Sequence, residues 1–120
     1  MPLSAIRRLF GSARANRVAK PEALKIFRRD DFHCRYCGMD GRASFENWLI
    51  LTVDFVHPVA RGGTKRSENL VTACQPCNKI KGLRVFPTFK DARTYVLQRR
   101  EEWRAEYLSQ TGQQVHAKTA

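Results

Sequence analysis

The four cysteines of this 120-residue chain form two Cys-x-x-Cys pairs, a spacing that is typical of metal sites. Within Cys34/Cys37 and within Cys74/Cys77, the two thiolates can point inward from one turn of the backbone. Two such turns complete a tetrahedral site with four sulfur ligands, which structural zinc prefers. Four thiolates leave the zinc ion no open position for water or substrate, so we expect it to stabilise the fold rather than to catalyse a reaction.

The cysteines have two alternative uses, which we do not favour. Two disulfide bonds need an oxidising compartment, whereas the chain shows no secretory signal and cytosolic thiols stay reduced. A thioredoxin-like redox pair needs a βαβ setting, and here the pair is duplicated without one. The 36 residues between the pairs also exceed the ~15–20 of a simple zinc ribbon, which predicts a substructure inserted between them.

The inserted segment holds a second group of residues that could do chemistry. It reads VDFVHP over residues 53–58, RGGT over 61–64 and ENL over 68–70, and the second cysteine pair is followed by Asn78 and Lys81-Gly82. This order resembles the HNH endonuclease family, whose pattern runs Asp-His-x-x-Pro, Gly-Gly, Asn-Leu, Cys-x-x-Cys-Asn and Lys-Gly. The resemblance covers roughly residues 21–83, about half of the chain, and includes the first cysteine pair as a zinc knuckle. The other matching positions are Asp54, Pro58, Gly62, Gly63, Asn69, Leu70, Cys74, Cys77, Asn78, Lys81 and Gly82.

The resemblance implies a small α+β fold, in which a ββα-metal core is stabilised by the four-cysteine zinc site and flanked by helices. It also implies that Asp54 and Asn78 hold a catalytic divalent cation, Mg²⁺ or Mn²⁺, since hard oxygen ligands suit such ions. The cation would stabilise charge on the phosphorane and on the leaving 3′ oxygen. Asn69 would brace the loop between strand and helix, or orient the base. The implied reaction is hydrolysis of DNA phosphodiester bonds, leaving 5′-phosphate and 3′-hydroxyl ends.

One position departs from the family pattern. Phe55 stands where the family has the His that deprotonates the attacking water, and a phenyl ring has no titratable group. His57 lies two residues further on, on the same face of a regular strand but about 6.6 Å along it. A bulge or bend before Pro58 would bring its imidazole to the metal-bound water, which makes His57 the candidate base. Alternatively, Phe55 belongs to an apolar strand face that starts at Leu49, and His57 only caps the strand.

The net charge of +11 predicts a polyanionic partner, and nucleic acid is the first candidate. Charge alone does not separate DNA from RNA, or either from an anionic membrane surface. Residues 1–20 carry a net +5, and residues 51–90 carry another +5 around the HNH-like motif. Basic side chains near the motif would bind phosphates on either side of the scissile bond, which adds affinity without sequence recognition. They are Arg61, Lys65, Arg66, Lys79, Lys81 and Arg84.

Apolar periodicity and breaking residues predict the elements that position these groups. In chain order they are a helix over Pro21–Arg29, a loop over Met39–Asn47, a strand over Leu49–His57, a returning strand over Leu70–Ala73, a short helix over Asn78–Lys81 and a long helix over Phe89–Ser109. The aromatic stripe of the long helix, which includes Trp103 and Tyr107, is expected to pack on the core.

The domain organisation follows from these elements. We expect a basic N-terminal arm over residues 1–20, a zinc-containing nuclease core over 21–87, a packing helix over 88–110 and a disordered tail over 111–120. The arm reads as a basic helix over Ser4–Lys20 that binds nucleic acid, although organellar transit peptides share its composition. Since the chain shows no secretion signal and no apolar run that approaches the ~20 residues of a membrane span, we expect a cytoplasmic chain with no membrane partner. With DNA as the expected partner, we expect no small-molecule substrate.

The leading hypothesis is therefore a metal-dependent DNA endonuclease of the HNH type, with low intrinsic sequence specificity, acting on double-stranded or branched DNA. The alternative is a catalytically silent, zinc-stabilised module that binds nucleic acid. Phe55 favours the alternative. Asp54 and Asn78 favour the enzyme, because a pure binding module has no need of them.

Overall fold

The computed structural model describes residues 18–113, so nearly all of the predicted arm and tail lie outside it. This part of the chain begins with helix α1 (Lys20–Arg29) and ends with the long helix α4 (Phe89–Thr111). Between them lie helix α2 (Phe45–Leu49), strand β1 (Leu51–Phe55), strand β2 (Leu70–Cys74) and helix α3 (Gln75–Lys81), with 3-10 turns at Val59–Arg61 and Ser67–Asn69. Within residues 18–113, no helix has the length and apolar character to cross a bilayer.

Strands β1 and β2 form a two-stranded antiparallel sheet, and α3 follows β2 directly. This ββα arrangement confirms the small α+β fold that the motif implied. In the sheet, Asp54 pairs with Val71 and Phe55 pairs with Leu70. Asp54 faces α3, where its carboxylate contacts Lys81.

Strand β1 is shorter than predicted because Leu49 does not belong to it. The preceding segment folds into α2, and the Ser44 hydroxyl caps this helix by accepting the N–H of Asn47 at 3.0 Å. The loop predicted over Met39–Asn47 is therefore partly helical. Leu49 ends α2 with 53% of its surface exposed, so the expectation that it starts an apolar strand face is wrong. That face begins at Leu51.

Helix α3 begins earlier than predicted, because the second cysteine pair forms its start rather than a separate turn. Cys74 is the N-cap residue, and Cys77 lies within the helix. Gly82 ends the helix with a positive φ of 59°, a conformation that glycine adopts without strain. As a result, one short helix carries a cysteine ligand together with Asn78 and Lys81, and it fixes their relative positions.

The hydrophobic core lies where the sheet, α3 and the first half of α4 meet, and it includes the cysteine side chains. In α4, Ala92 and Val96 are completely buried, whereas Trp103 and Tyr107 remain 41% and 49% exposed. The expectation that the whole aromatic stripe packs on the core is therefore wrong beyond Val96. Both side chains line open grooves beside α3 instead of closed core.

Asp30, which follows the last residue of α1, connects this helix to the rest of the domain. The Asp30 carboxylate accepts hydrogen bonds from Arg29 Nε at 2.9 Å, from Arg35 Nη1 at 3.2 Å and from the backbone N–H of Thr72 at 2.9 Å. Burial alone would raise the pKa of Asp30, but these hydrogen bonds outweigh it and lower the pKa. One carboxylate thus joins α1, the first cysteine knuckle and β2.

Candidate functional site

The four cysteine side chains converge on one point in the core. Their Sγ atoms all lie within 4.8 Å of one another, and Cys37 Sγ lies 3.8 Å from Cys74 Sγ. A tetrahedral ion with Zn–S bonds of about 2.3 Å places its sulfur ligands about 3.8 Å apart. The cysteines are therefore positioned to bind a metal ion, and both the size of the site and its sulfur donors fit zinc.

Hydrogen bonds among the four thiols shift their pKa values in opposite directions. Those with Cys37, Cys74 and Cys77 lower the pKa of Cys34 far below its ordinary value, whereas those with Cys34 and Cys37 raise the pKa of Cys74 and of Cys77. Arg100 of α4 donates its Nη1–H to Cys77 Sγ at 3.5 Å, which offsets part of the charge of the sulfur cluster. Sequence reasoning missed Arg100. The available signal was its position one helical turn after the last core residue of α4, on the same inward side.

Asp54 is 3% exposed, and side chains bind both of its carboxylate oxygens. The buried Tyr36 donates its hydroxyl to Oδ2, and Lys81 Nζ lies 3.4 Å from Oδ1. Lys81 Nζ also donates to the carbonyl of Phe55 at 2.9 Å. Burial raises the pKa of Asp54 and of Tyr36, and it lowers the pKa of Lys81. Since a carboxylate offers about four lone-pair sites, Asp54 keeps capacity for a further ligand.

Asp54 and Asn78 line the same cleft, which has a volume of about 500 Å³ and lies between α1, β1 and α3. Most of the other lining residues have apolar side chains, among them Phe27 and Phe55. A carboxylate oxygen and an amide oxygen are ligands that Mg²⁺ accepts, and this ion usually completes its shell with water and substrate phosphates. The donor set of the cleft therefore fits a divalent cation that is held partly by the protein.

His57 follows β1, outside the residues that line the cleft. Its Nε2 lies 2.8 Å from the carbonyl oxygen of Arg61. Because a carbonyl can only accept a hydrogen bond, Nε2 carries the proton and Nδ1 is left as the proton acceptor. A Cβ at Gly63 would come within 1.8 Å of the His57 carbonyl oxygen, so this loop requires glycine there.

Asn69 holds the backbone of His57 through its side-chain amide. Its Oδ1 accepts the His57 N–H at 2.8 Å, and its Nδ2 donates to the His57 carbonyl at 2.9 Å. The same Nδ2 donates to the carbonyl of Thr64 at 2.7 Å. These three hydrogen bonds brace the loop that carries the histidine.

Five of the six side chains that were predicted to contact phosphates are exposed. They are Arg61, Lys65, Arg66, Lys79 and Arg84. Lys81 is different, because its side chain is completely buried and its ammonium group contacts Asp54. The prediction that Lys81 faces DNA phosphates is therefore wrong, because its ammonium group lies inside the domain and pairs with Asp54.

Tyr36 links the cysteine cluster to the cleft, and sequence reasoning missed it. It lies within the first knuckle, between Cys34 and Cys37, and its hydroxyl reaches Asp54. A buried tyrosine needs a hydrogen-bond partner, so an aromatic residue inside a knuckle was the available signal. A metal ion bound by the cysteines would thus fix both the knuckle that carries Tyr36 and the helix that carries Asn78.

Comparison with protein families identifies the central part of the chain. The family model described as HNH endonuclease matches residues 34–84. This range includes both cysteine pairs, the two strands, α3 and the cleft residues Asp54 and Asn78. No curated protein and no solved structure matches the chain.

Proposed function

We propose that this chain, whose residues 34–84 match the HNH endonuclease family model, hydrolyses DNA phosphodiester bonds with the help of a divalent cation. The family consists generally of nucleases. The observation that carries the proposal is that Asp54 of β1 and Asn78 of α3 line one cleft. We expect low intrinsic sequence specificity, because the exposed basic side chains near the cleft are suited to phosphates rather than to base edges.

Asp54 and Asn78 would hold the cation, Mg²⁺ or Mn²⁺. When bound, such an ion stabilises charge at phosphorus and on the leaving 3′ oxygen. Tyr36 and Lys81 hold the Asp54 carboxylate in place, and Lys81 also offsets part of its charge. Affinity for the ion should therefore be weak until DNA phosphates complete its ligand shell.

His57 is the proposed general base. Water attacks phosphorus and passes a proton to Nδ1 of His57, the P–O3′ bond breaks, and the 3′ oxygen takes a proton from solvent. The products are 5′-phosphate and 3′-hydroxyl ends. The Asn69 amide supports this role by holding the backbone of His57 beside the end of β1. To act as the base, the imidazole would turn from the Arg61 carbonyl to the cleft when DNA binds.

The cysteine site would hold a structural zinc ion. Its four sulfur ligands would leave no position for substrate, so its contribution is to hold the first knuckle against α3. Zinc would thereby keep Tyr36, Asp54 and Asn78 in register without taking part in the reaction.

A catalytically silent, zinc-stabilised module that binds DNA is the second candidate. Two observations favour it. Phe55 occupies the wall of the cleft where the family has its base, and the imidazole of His57 is turned toward the carbonyl of Arg61. In such a module, the basic side chains would still bind phosphates in a salt-dependent manner.

The test is a nicking assay. Purified chain is incubated with supercoiled plasmid and Mg²⁺ or Mn²⁺, alongside Asp54→Ala, Asn78→Ala and His57→Ala. The proposal predicts nicking by the wild type and its loss in all three variants. Salt-sensitive DNA binding without nicking in either metal would replace the enzyme with the silent module. Nicking that survives His57→Ala would remove only the assignment of the base.

A further inference from the structure

Two open grooves run between α3 and α4, on the side of α3 that leads away from the cleft. The first has a volume of about 710 Å³ and the second about 320 Å³. Trp103 and Pro76 line both grooves, so the two form one continuous surface. We call this surface the α3–α4 groove. Its principal lining residues are Pro76, Lys79, Arg100, Trp103, Arg104 and Tyr107.

The groove combines exposed aromatic rings with positive charge. Trp103 and Tyr107, one helical turn apart on α4, are 41% and 49% exposed although both are large apolar side chains. Three of the lining residues are cationic, and none of the residues of 18–113 that line the groove is acidic. Arg104 contacts the exposed Glu101 at 3.4 Å, a surface pair that is worth little and leaves the guanidinium able to turn to another anion.

The groove is continuous with the candidate active-site cleft. Gln75 and Asn78 of α3 line both the cleft and the groove. Lys79 follows directly, and its exposed side chain lines the groove. A DNA strand with one phosphate at Asn78 would thus pass over Lys79 toward Trp103.

We propose that the α3–α4 groove binds single-stranded DNA, with an unpaired base stacked on Trp103 and with Lys79 and Arg104 contacting phosphates. Aromatic rings beside cationic side chains are the means by which proteins bind unpaired nucleotides, because every base has a π-face. In a duplex, the base faces are already stacked on each other and are not available to a protein ring. The preferred substrate is therefore DNA with an unpaired stretch next to the scissile phosphate. The binding of single-stranded DNA rests on the proposed function only in taking DNA as the partner, whereas the substrate preference also rests on the nuclease activity.

The chain contains two tryptophans, which gives the test a matched control. Trp48 is 52% exposed on α2, stacks against Phe45 and does not line the groove. In the Trp48→Phe variant, all tryptophan fluorescence comes from Trp103. Titration with a short oligothymidine, without added Mg²⁺ or Mn²⁺, should quench this fluorescence strongly. A blunt duplex of the same length should quench it much less.

Affinities of the intact chain then decide the proposal. Trp103→Leu should weaken binding of the oligothymidine by about 5- to 150-fold, the loss expected for one stacked base, while Trp103→Phe retains most of it. In Trp103→Leu, the affinity for the duplex should change less than twofold. Trp48→Leu should change neither the affinity for the oligothymidine nor the affinity for the duplex. Circular dichroism establishes that each variant is folded.

Three outcomes would overturn the inference. They are an unchanged affinity of Trp103→Leu for the oligothymidine, an equal loss for single strand and duplex, and a change in sedimentation mass in place of a change in DNA affinity. The last outcome would make the groove an interface between two copies of the chain. Binding that depends on Trp103 in a chain that never nicks plasmid would instead leave this inference standing and remove the nuclease.

Discussion

Lys81 Nζ lies 3.4 Å from Asp54 Oδ1, and both side chains are withdrawn from solvent. An ammonium group inside the domain thus accompanies the carboxylate that is proposed to hold the catalytic cation. Taking two charges out of water costs free energy that their mutual attraction does not fully recover. The pair therefore serves to position Asp54 more than to stabilise the fold. Tyr36 completes the arrangement by donating its hydroxyl to the other oxygen of the same carboxylate.

Removing one partner of this pair should be strongly destabilising. Lys81→Met leaves the Asp54 carboxylate buried without its cation, and we expect the free energy of unfolding to fall by about 3–5 kcal/mol. Lys81→Met combined with Asp54→Asn should recover much of that loss, because no uncompensated charge remains. Urea unfolding measures both variants. Lys79→Met on the exposed side of α3 is the control, with an expected change within about 0.5 kcal/mol. If Lys81→Met alone were as stable as Lys79→Met, the ion pair would have to be open to water.

Phe55→His should raise the nicking rate. Phe55 lines the cleft beside Asp54 and Asn78, so an imidazole there would meet the water that attacks phosphorus. A positioned general base contributes about 10²–10⁴-fold, and a gain toward that range is expected in a plasmid assay. Phe27→His places the same group elsewhere in the wall of the same cleft and should give no gain. An unchanged rate for Phe55→His would mean that the family's base position is not intact in this chain.

Removal of zinc should unfold the domain and not merely lower the nicking rate. The cysteine cluster lies in the core and joins the first knuckle to α3, so loss of the metal removes this cross-link and leaves four converging sulfur atoms without a cation. The purified chain should contain one zinc ion, and a strong chelator should abolish its helical circular dichroism together with any nicking. A metal-free chain that stays folded with four titratable thiols would contradict the zinc assignment.

Asp30 should make stability depend on acid pH. Its pKa is lowered in the folded state, so its contribution is present above the ordinary carboxyl pKa of about 3.9 and is lost as pH falls through the lower folded value. Asp30→Asn should cost about 2 kcal/mol at pH 7, because hydrogen bonds to a charged group are removed. The difference in the free energy of unfolding between the wild type and Asp30→Asn should become smaller below about pH 4. Urea unfolding at several pH values tests this, and a constant difference would show that the charge of Asp30 is not involved.

The sequence was sufficient for the features that depend on local spacing. Two Cys-x-x-Cys pairs predict a four-cysteine site, and the β-branched and aromatic residues around Asp54 predict a strand. The antiparallel pairing of this strand before a helix came from the HNH resemblance. The end of α1 at Arg29 and the start of α4 at Phe89 likewise agree with the predicted bounds.

What the sequence did not reveal are contacts between residues that are distant in the chain. Lys81 looked like one more cation in a basic stretch, and only the packing of α3 on β1 turns its side chain toward Asp54. The exposure of Trp103 likewise depends on where the core ends along α4. The periodicity of the sequence does not show where that is. Helix α2 was missed because a five-residue helix carries too little periodic signal.

The proposal that Asp54 and Asn78 hold the cation for phosphodiester hydrolysis is tested most directly by the rate of the first plasmid nick as a function of Mn²⁺ concentration. For the wild type, we predict a rate that rises from zero and saturates. Asn78→Ala should need much more Mn²⁺ or remain inactive, while Gln98→Ala, an exposed amide on α4, should follow the wild-type curve. A nicking rate that does not depend on added Mn²⁺, or an Asn78→Ala curve that matches the wild type, would contradict the proposal.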